Sequence, residues 1–161
     1  MKIHLIRHAK TTQTDQFEND IKRKLLPKGI IQANVLGNYL QSKNIQAELT
    51  WCSTANRTKE TLSILHHSID LGKIIFSSDL YLCENDTYLK KVWELKTVNE
   101  LFIIGHNDGI SSFASYVTNE HISLKPCEYC CIEFNIDSWD ELSKGNGRTI
   151  DRFLPSVFLP D

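Results

Sequence analysis

Lys2-Ile3-His4-Leu5-Ile6-Arg7-His8 sets the reading frame for the 161-residue chain. The stretch alternates weakly, turns apolar and ends on two basic side chains, the pattern of a buried strand with a polar C-terminal end. Thr11 to Lys24 is mostly Thr, Gln, Asp, Asn and Lys with no sustained period, a surface loop long enough to expect a functional role. Helical spacing starts at Pro27, which suits a first helical turn, and runs through Ile30, Ile31, Ala33, Val35, Leu36 and Leu40 to about Ser42 to Asn44.

The alternation then repeats. Glu48 to Cys52 reads as a second strand, Ala55 to His67 as a helix carrying Leu62, Ile64 and Leu65, and Lys73 to Phe76 as a short third strand. A loop from Asp79 to Asp86 leads into a helix from Thr87 to Leu95. Glu100 to Ile104 is the most apolar strand, closed by Gly105-His106-Asn107. Ile110, Phe113, Ala114 and Val117 mark the next helix, with Asn107 or Asp108 as its N-cap. Near the end, Glu128 to Ile136 and Arg148 to Leu154 flank the turn signal Gly145-Asn146-Gly147 as hairpin strands. The pattern predicts an α/β fold, a three-layer α/β/α domain spanning 1–161, with a mostly parallel sheet and antiparallel strands near the C-terminus.

Composition narrows the function. Hydrophobic residues make up 41% and charged residues 24%, and 18 Lys+Arg against 20 Asp+Glu give a net charge of −2, which argues against a basic nucleic-acid binder and a disordered acidic chain. Trp51, Trp93 and Trp139 are read as core and edge packing, since no basic stripe accompanies them. No run of apolar residues is long enough for a membrane span, and the segment before Arg7 is too short for a secretory signal, so a cytoplasmic location is expected. Five cysteines, Cys52, Cys83, Cys127, Cys130 and Cys131, are an odd number for a disulfide framework. Cys127-x-x-Cys130-Cys131 lacks a second paired set of ligands, and strand alternation sends Cys130 and Cys131 to opposite faces, so these thiols are read as packing rather than zinc ligands. Cys83 is expected to be a more acidic thiol if arginines lie beside it.

Three polar clusters fall at C-terminal strand ends, where open α/β sheets bind ligands: Arg7-His8, Ser53 to Arg57, and Gly105-His106-Asn107. Any one of them is an ordinary polar exit from a strand. Together they place two imidazoles and two guanidiniums at one edge if the strands are neighbours. Guanidiniums match phosphate oxygens and can stabilise a transferring phosphoryl group, and an imidazole can attack phosphorus to form a covalent intermediate. The arginines supply the positive charge, so neither a metal nor another cofactor is expected.

At these positions the chain resembles the histidine phosphatase superfamily, and within it the small SixA-like phosphohistidine phosphatases. Leu5 to Lys10 is similar to that group's Arg-His-Ala-Lys motif, and Asp20 to Gly29 to its Asp, Arg-Pro-Leu-Thr, Gly pattern. Cys52 to Thr61 is similar to its Ser-Pro-Ala-x-Arg segment, and Ile104 to Ile110 to Gly-His-Asn-Pro-Gly. Lys24 and Leu26 depart from the second motif's Pro and Thr, and Thr54 and Asp108 replace prolines. The resemblance implies that His8 is the phosphorylated nucleophile, that Arg7, Arg57 and His106 complete the catalytic set and bind the phosphoryl group, and that Arg23 joins them from the long loop. Related enzymes acting on esters draw a general acid from the loop after the third strand, which points to Glu84, with Asp86 nearby; SixA-like proteins do without a well-defined one.

The implied activity is metal-independent phosphatase chemistry on phosphohistidine borne by a partner protein. A phosphomonoesterase or mutase of the same fold acting on a small metabolite is the alternative, and a phosphate-recognising adaptor without turnover is a third reading. Only about two dozen residues separate the third and fourth strands, where larger relatives carry a cap, so an open pocket is expected.

Overall fold

The computed structural model describes residues 1–13 and 17–155. Among the described residues, five α-helices and six strands follow one another: β1 (Lys2–Arg7), α1 (Phe17–Asp20), α2 (Pro27–Ser42), β2 (Leu49–Ser53), α3 (Asn56–His66), β3 (Lys73–Ser77), α4 (Asn85–Trp93), β4 (Glu100–Gly105), α5 (Gly109–Thr118), β5 (Tyr129–Phe134) and β6 (Gly147–Phe153). The strands form one sheet in the order β3-β2-β4-β1-β5-β6. The pairs β3·β2, β2·β4 and β4·β1 are parallel, while β5 runs antiparallel to both β1 and β6. This is the α/β architecture expected from the alternation.

Burial on both faces explains the apolar strands. The side chains of Ile3, Leu5 and Ile103 pack with Leu89 and Val92 of α4 and with Phe113 and Val117 of α5. Ile6, Phe102 and Ile104 point the other way, against Leu36 and Leu40 of α2 and Leu62 and Leu65 of α3. Cys130 belongs to the first core and Cys131 to the second, so the alternating geometry separates them as expected. Trp51 and Trp139 are buried, and Trp93, 38% exposed, packs at the edge and donates its indole N–H to the Leu142 carbonyl.

Element ends shift by one or two residues from the sequence reading, and two of these differences bear on the site. The Thr11 to Lys24 loop holds the single helical turn α1, and a bridge between Thr11 and Leu25 closes its base; residues 14–16 of that loop lie outside the described residues. α4 starts at Asn85 rather than Thr87, which puts Glu84 at its N-cap, where its side chain makes no capping bond. Asp108 caps α5 in position but likewise without a side-chain bond.

Register positions the site. Arg7 pairs with Gly105 and Cys52 with Ile104, so β1, β4 and β2 end at one level and the residues after them emerge side by side. The segment after β1 is held against α2: Leu26 N–H donates to the Lys10 carbonyl at 3.0 Å, and the backbone of Gly29 approaches so closely that a Cβ there would lie 2.1 Å from the same oxygen. Gly29→Ala must therefore push the His8–Lys10 segment away from α2. The expected cost is about 1–3 kcal/mol, read as a lower urea midpoint with unchanged m-value; an unchanged midpoint would mean the two segments separate freely.

Candidate active site

His8 is the first residue beyond β1, and its backbone N–H continues the ladder by donating to the Gly105 carbonyl at 3.1 Å. Its ring is buried. Nδ1 lies 2.9 Å from the Ala9 carbonyl oxygen, which can only accept, so Nδ1 carries the proton and Nε2 keeps its lone pair. The Ala9 N–H in turn donates to Thr61 Oγ1 at 3.1 Å, and that hydroxyl donates to the Arg57 carbonyl at 2.7 Å, tying the β1 exit to α3. Burial, reinforced by the charges of Arg57, Arg7 and Arg23, pushes the His8 pKa down to about 3 against the pull of the Ala9 carbonyl. The ring is neutral at physiological pH.

His106 follows β4. Its ring centroid stands 5.3 Å from that of His8, tilted by 57°, and Nε2 lies 2.8 Å from Ser53 Oγ at the end of β2. Burial, then Arg57 and His8, lower its pKa to about 3, with Asp20 opposing. Its Nδ1 is buried and bonded to nothing among the described residues.

Three guanidiniums surround this pair. Arg57, in the first turn of α3 and 1% exposed, donates from Nη1 to the Asp20 carbonyl at 2.6 Å and from Nη2 to Asp20 Oδ2 at 2.9 Å. Arg7 donates from Nη1 to the Leu124 carbonyl at 2.9 Å, and burial lowers its pKa, with Asp108 opposing and Arg23 adding to the fall. The Nε atoms of both Arg7 and Arg57 are buried without a partner among the described residues. Arg23 comes back over the strand ends: its Nε donates to the Thr12 carbonyl at 2.6 Å, Nη1 to Asp20 Oδ1 at 3.0 Å, and its charge reaches His8 and Arg7.

Asp20 leads the second motif in the sequence, but no role is assigned to it there. Its carboxylate accepts from Arg57, from Arg23 and, at 2.5 Å, from the Tyr81 hydroxyl. Burial works to raise its pKa, but Tyr81, Arg23 and Arg57 outweigh that and hold it at about 2. Tyr81, also unforeseen, stands edge-on to His106 at 5.5 Å with the Arg57 guanidinium 5.7 Å from its ring centroid. The available signal was the spacing of three between Asp20 and Arg23, which sets an ion pair across one turn.

Glu84 is exposed, and no side-chain bond joins it to this cluster among the described residues. The expectation for Cys83 is corrected: burial raises its thiol pKa, and the charges that act on it are those of Asp79 and Lys91 rather than of the arginines. Among the described residues, no group of three or more His, Cys, Asp or Glu side chains is placed to hold a metal ion, and no helix is long and apolar enough to cross a membrane.

The profile of the histidine phosphatase superfamily (branch 1) matches residues 3–81. An uncharacterised protein of Mycobacterium leprae is 31% identical over 117 residues, covering 70% of this chain and 71% of that one. Among solved structures, an Agrobacterium tumefaciens protein assigned to the phosphohistidine phosphatase SixA superposes with a TM-score of 0.83 at 19% identity, covering 96% of this chain and 97% of that chain. The protein histidine phosphatase SixA in complex with tungstate gives 0.83 at 15% identity, covering 99% of this chain and 100% of that chain. The chain belongs to the histidine phosphatase superfamily, branch 1, and with it to the phosphatases, a class of hydrolases.

The Asp20 cluster has a measurable signature. Asp20→Asn removes the carboxylate that faces the buried Arg57 guanidinium and is expected to cost about 2 kcal/mol at pH 7. The folded-state pKa of about 2 lies below the ordinary value of 3.8, so this stabilisation is full above pH 4 and fades as pH falls toward 2. Urea unfolding of both proteins across that range should show the gap closing with acid; a gap independent of pH would assign the loss to packing instead.

Proposed function

We propose that the chain is a cytoplasmic, metal-independent phosphatase, folded as one domain across 1–161 without a cap, that removes phosphate from phosphohistidine on a partner protein by way of a phosphorylated His8. The observation that carries the reading is the His8 ring itself: neutral, with Nδ1 anchored on the Ala9 carbonyl and Nε2 left as a nucleophile beside three guanidiniums. Arg7, Arg57 and His106 hold the phosphoryl oxygens, through donors that include the partnerless Arg7 Nε, Arg57 Nε and His106 Nδ1, and Arg23 adds charge at the rim. For a neutral His106 to donate from Nδ1, Ser53 must donate its hydroxyl proton to Nε2, which the 2.8 Å spacing permits.

In the first step the Nε2 lone pair forms a bond to phosphorus as the bond to the leaving nitrogen breaks. The substrate ring, protonated on its other nitrogen, departs as neutral imidazole. Water then attacks phosphorus, the bond to His8 breaks, and inorganic phosphate leaves. The arginines stabilise the charge on the equatorial oxygens throughout. The carboxylates described at the site are not placed to protonate a leaving group: Asp20 stays ionised down to about pH 2, and among the described residues Glu84 makes no bond to the cluster. An alkoxide leaving group needs such an acid, worth about 10²- to 10⁴-fold, whereas imidazole does not. This difference, together with the fold shared with proteins described as phosphohistidine phosphatases, supports the phosphoramidate over the ester.

His8→Ala should abolish acid-labile labelling by a phosphoramidate donor and lower kcat on phosphohistidine by about 10⁴-fold or more; full activity in that variant would overturn the mechanism. Since the nucleophile is the neutral ring and its pKa is about 3, kcat/KM corrected for substrate ionisation should stay level from pH 8 to pH 5 and fall only toward pH 3. A fall through pH 6.5 would show that burial does not hold His8 neutral. Glu84→Gln should leave phosphohistidine hydrolysis within about twofold, against the 10²-fold or greater loss that a role as general acid would give.

A further inference from the structure

Resting on the phosphohistidine reading, we infer that the polar groove along α5 is a docking subsite for the polypeptide flanking the phosphorylated residue, and that it favours a basic residue beside that phosphohistidine. The groove, about 690 Å³ in volume, starts at Asn107 and Asp108 and follows one helix face past Ser112 to Asn119 and Glu120. Positions 108, 112, 116 and 119 are successive helical turns, so it extends about 16 Å at 1.5 Å per residue. That length matches about five residues of extended chain, far more than a phosphoryl group and an imidazole occupy.

Its position makes it continuous with the candidate active site. Asn107 is the residue directly after His106, and the charge of the exposed Asp108 reaches the Arg7 guanidinium. Its chemistry is that of backbone recognition, since amides and hydroxyls predominate among its side chains. Asn85, the first residue of α4, also lines the groove, and its side-chain oxygen is buried and accepts from nothing among the described residues, leaving an acceptor for a main-chain N–H. Charge changes sign along the path. The cluster around His8 is cationic, while the groove opens on the Asp108 carboxylate and ends on Glu120, with Lys144 contributing one positive charge. A phosphoryl anion followed by a lysine or arginine is complementary to that sequence of charges.

The test compares three substrates of the 161-residue protein: free phosphohistidine, a seven-residue phosphohistidine peptide with lysines on both sides, and the same peptide with glutamates. The lysine peptide should exceed the glutamate peptide in kcat/KM by about fivefold at low salt, and Asp108→Lys should reverse the order. Ser112→Trp, an exposed position on α5, should lower the ratio of lysine peptide to free phosphohistidine by about tenfold, with an unchanged unfolding midpoint showing that the fold is intact. Hydrolysis of all three substrates without preference, and a ratio that neither variant moves, would overturn the groove while leaving the phosphatase reading in place. Failure of the wild type to hydrolyse any phosphohistidine would overturn that reading, and the groove with it.

Discussion

Parallel pairing of β1 with β4 and of β4 with β2 is the constraint on which the upper edge of the molecule depends. Because Arg7 lies opposite Gly105 and Cys52 opposite Ile104, three strands that are distant in sequence stop at the same height. The polar residues that leave them therefore emerge side by side. A slip of one residue would turn Arg7 and the core side chains of β1 to opposite faces, and the two apolar cores beneath make that slip costly. Packing far below the site thus holds two imidazoles 5.3 Å apart at its centre.

Electrostatics follows from that placement. Gathering guanidiniums around buried imidazoles disfavours the imidazolium twice, through lost hydration and through like charge, and both rings are driven neutral. The guanidiniums themselves need an anion, and Asp20 supplies one to Arg57 and Arg23 together. The division of labour is physical: Asp20 takes the outer edge of Arg57, and the Nε of the same guanidinium stays unbonded among the described residues. A neutral nucleophile inside a cationic shell is the arrangement that a dianionic phosphoryl group complements.

Much of this was legible residue by residue. The strand from Lys2, the helix from Pro27 and the late hairpin carry strong periodic or turn signals, and their observed limits lie within about two residues of those expected, the usual fraying of element ends. His8, His106, Arg7 and Arg57 announced themselves by standing at strand exits. Helix α1 did not, because four residues are too few for a period to show. Tyr81 was hidden for another reason, as was the role of Asp20, which the sequence offered only as part of a motif: their contact exists only where two segments 61 residues apart meet. The acidic thiol expected of Cys83 depended on neighbouring arginines, and the fold buries it without them among the groups acting on it.

Sequence alone determined the order of elements, the two-sided burial of the strands and the kinds of side chain available at their ends, since these depend on local pattern and composition. Only the tertiary structure decided which nitrogen of His8 is free, that both histidines are neutral, that Asp20 binds Arg57 and Arg23, and that Glu84 stands apart from them. Protonation and hydrogen-bond partnership are set by dielectric and by atoms within about 3 Å. Those surroundings come into being only when distant segments pack.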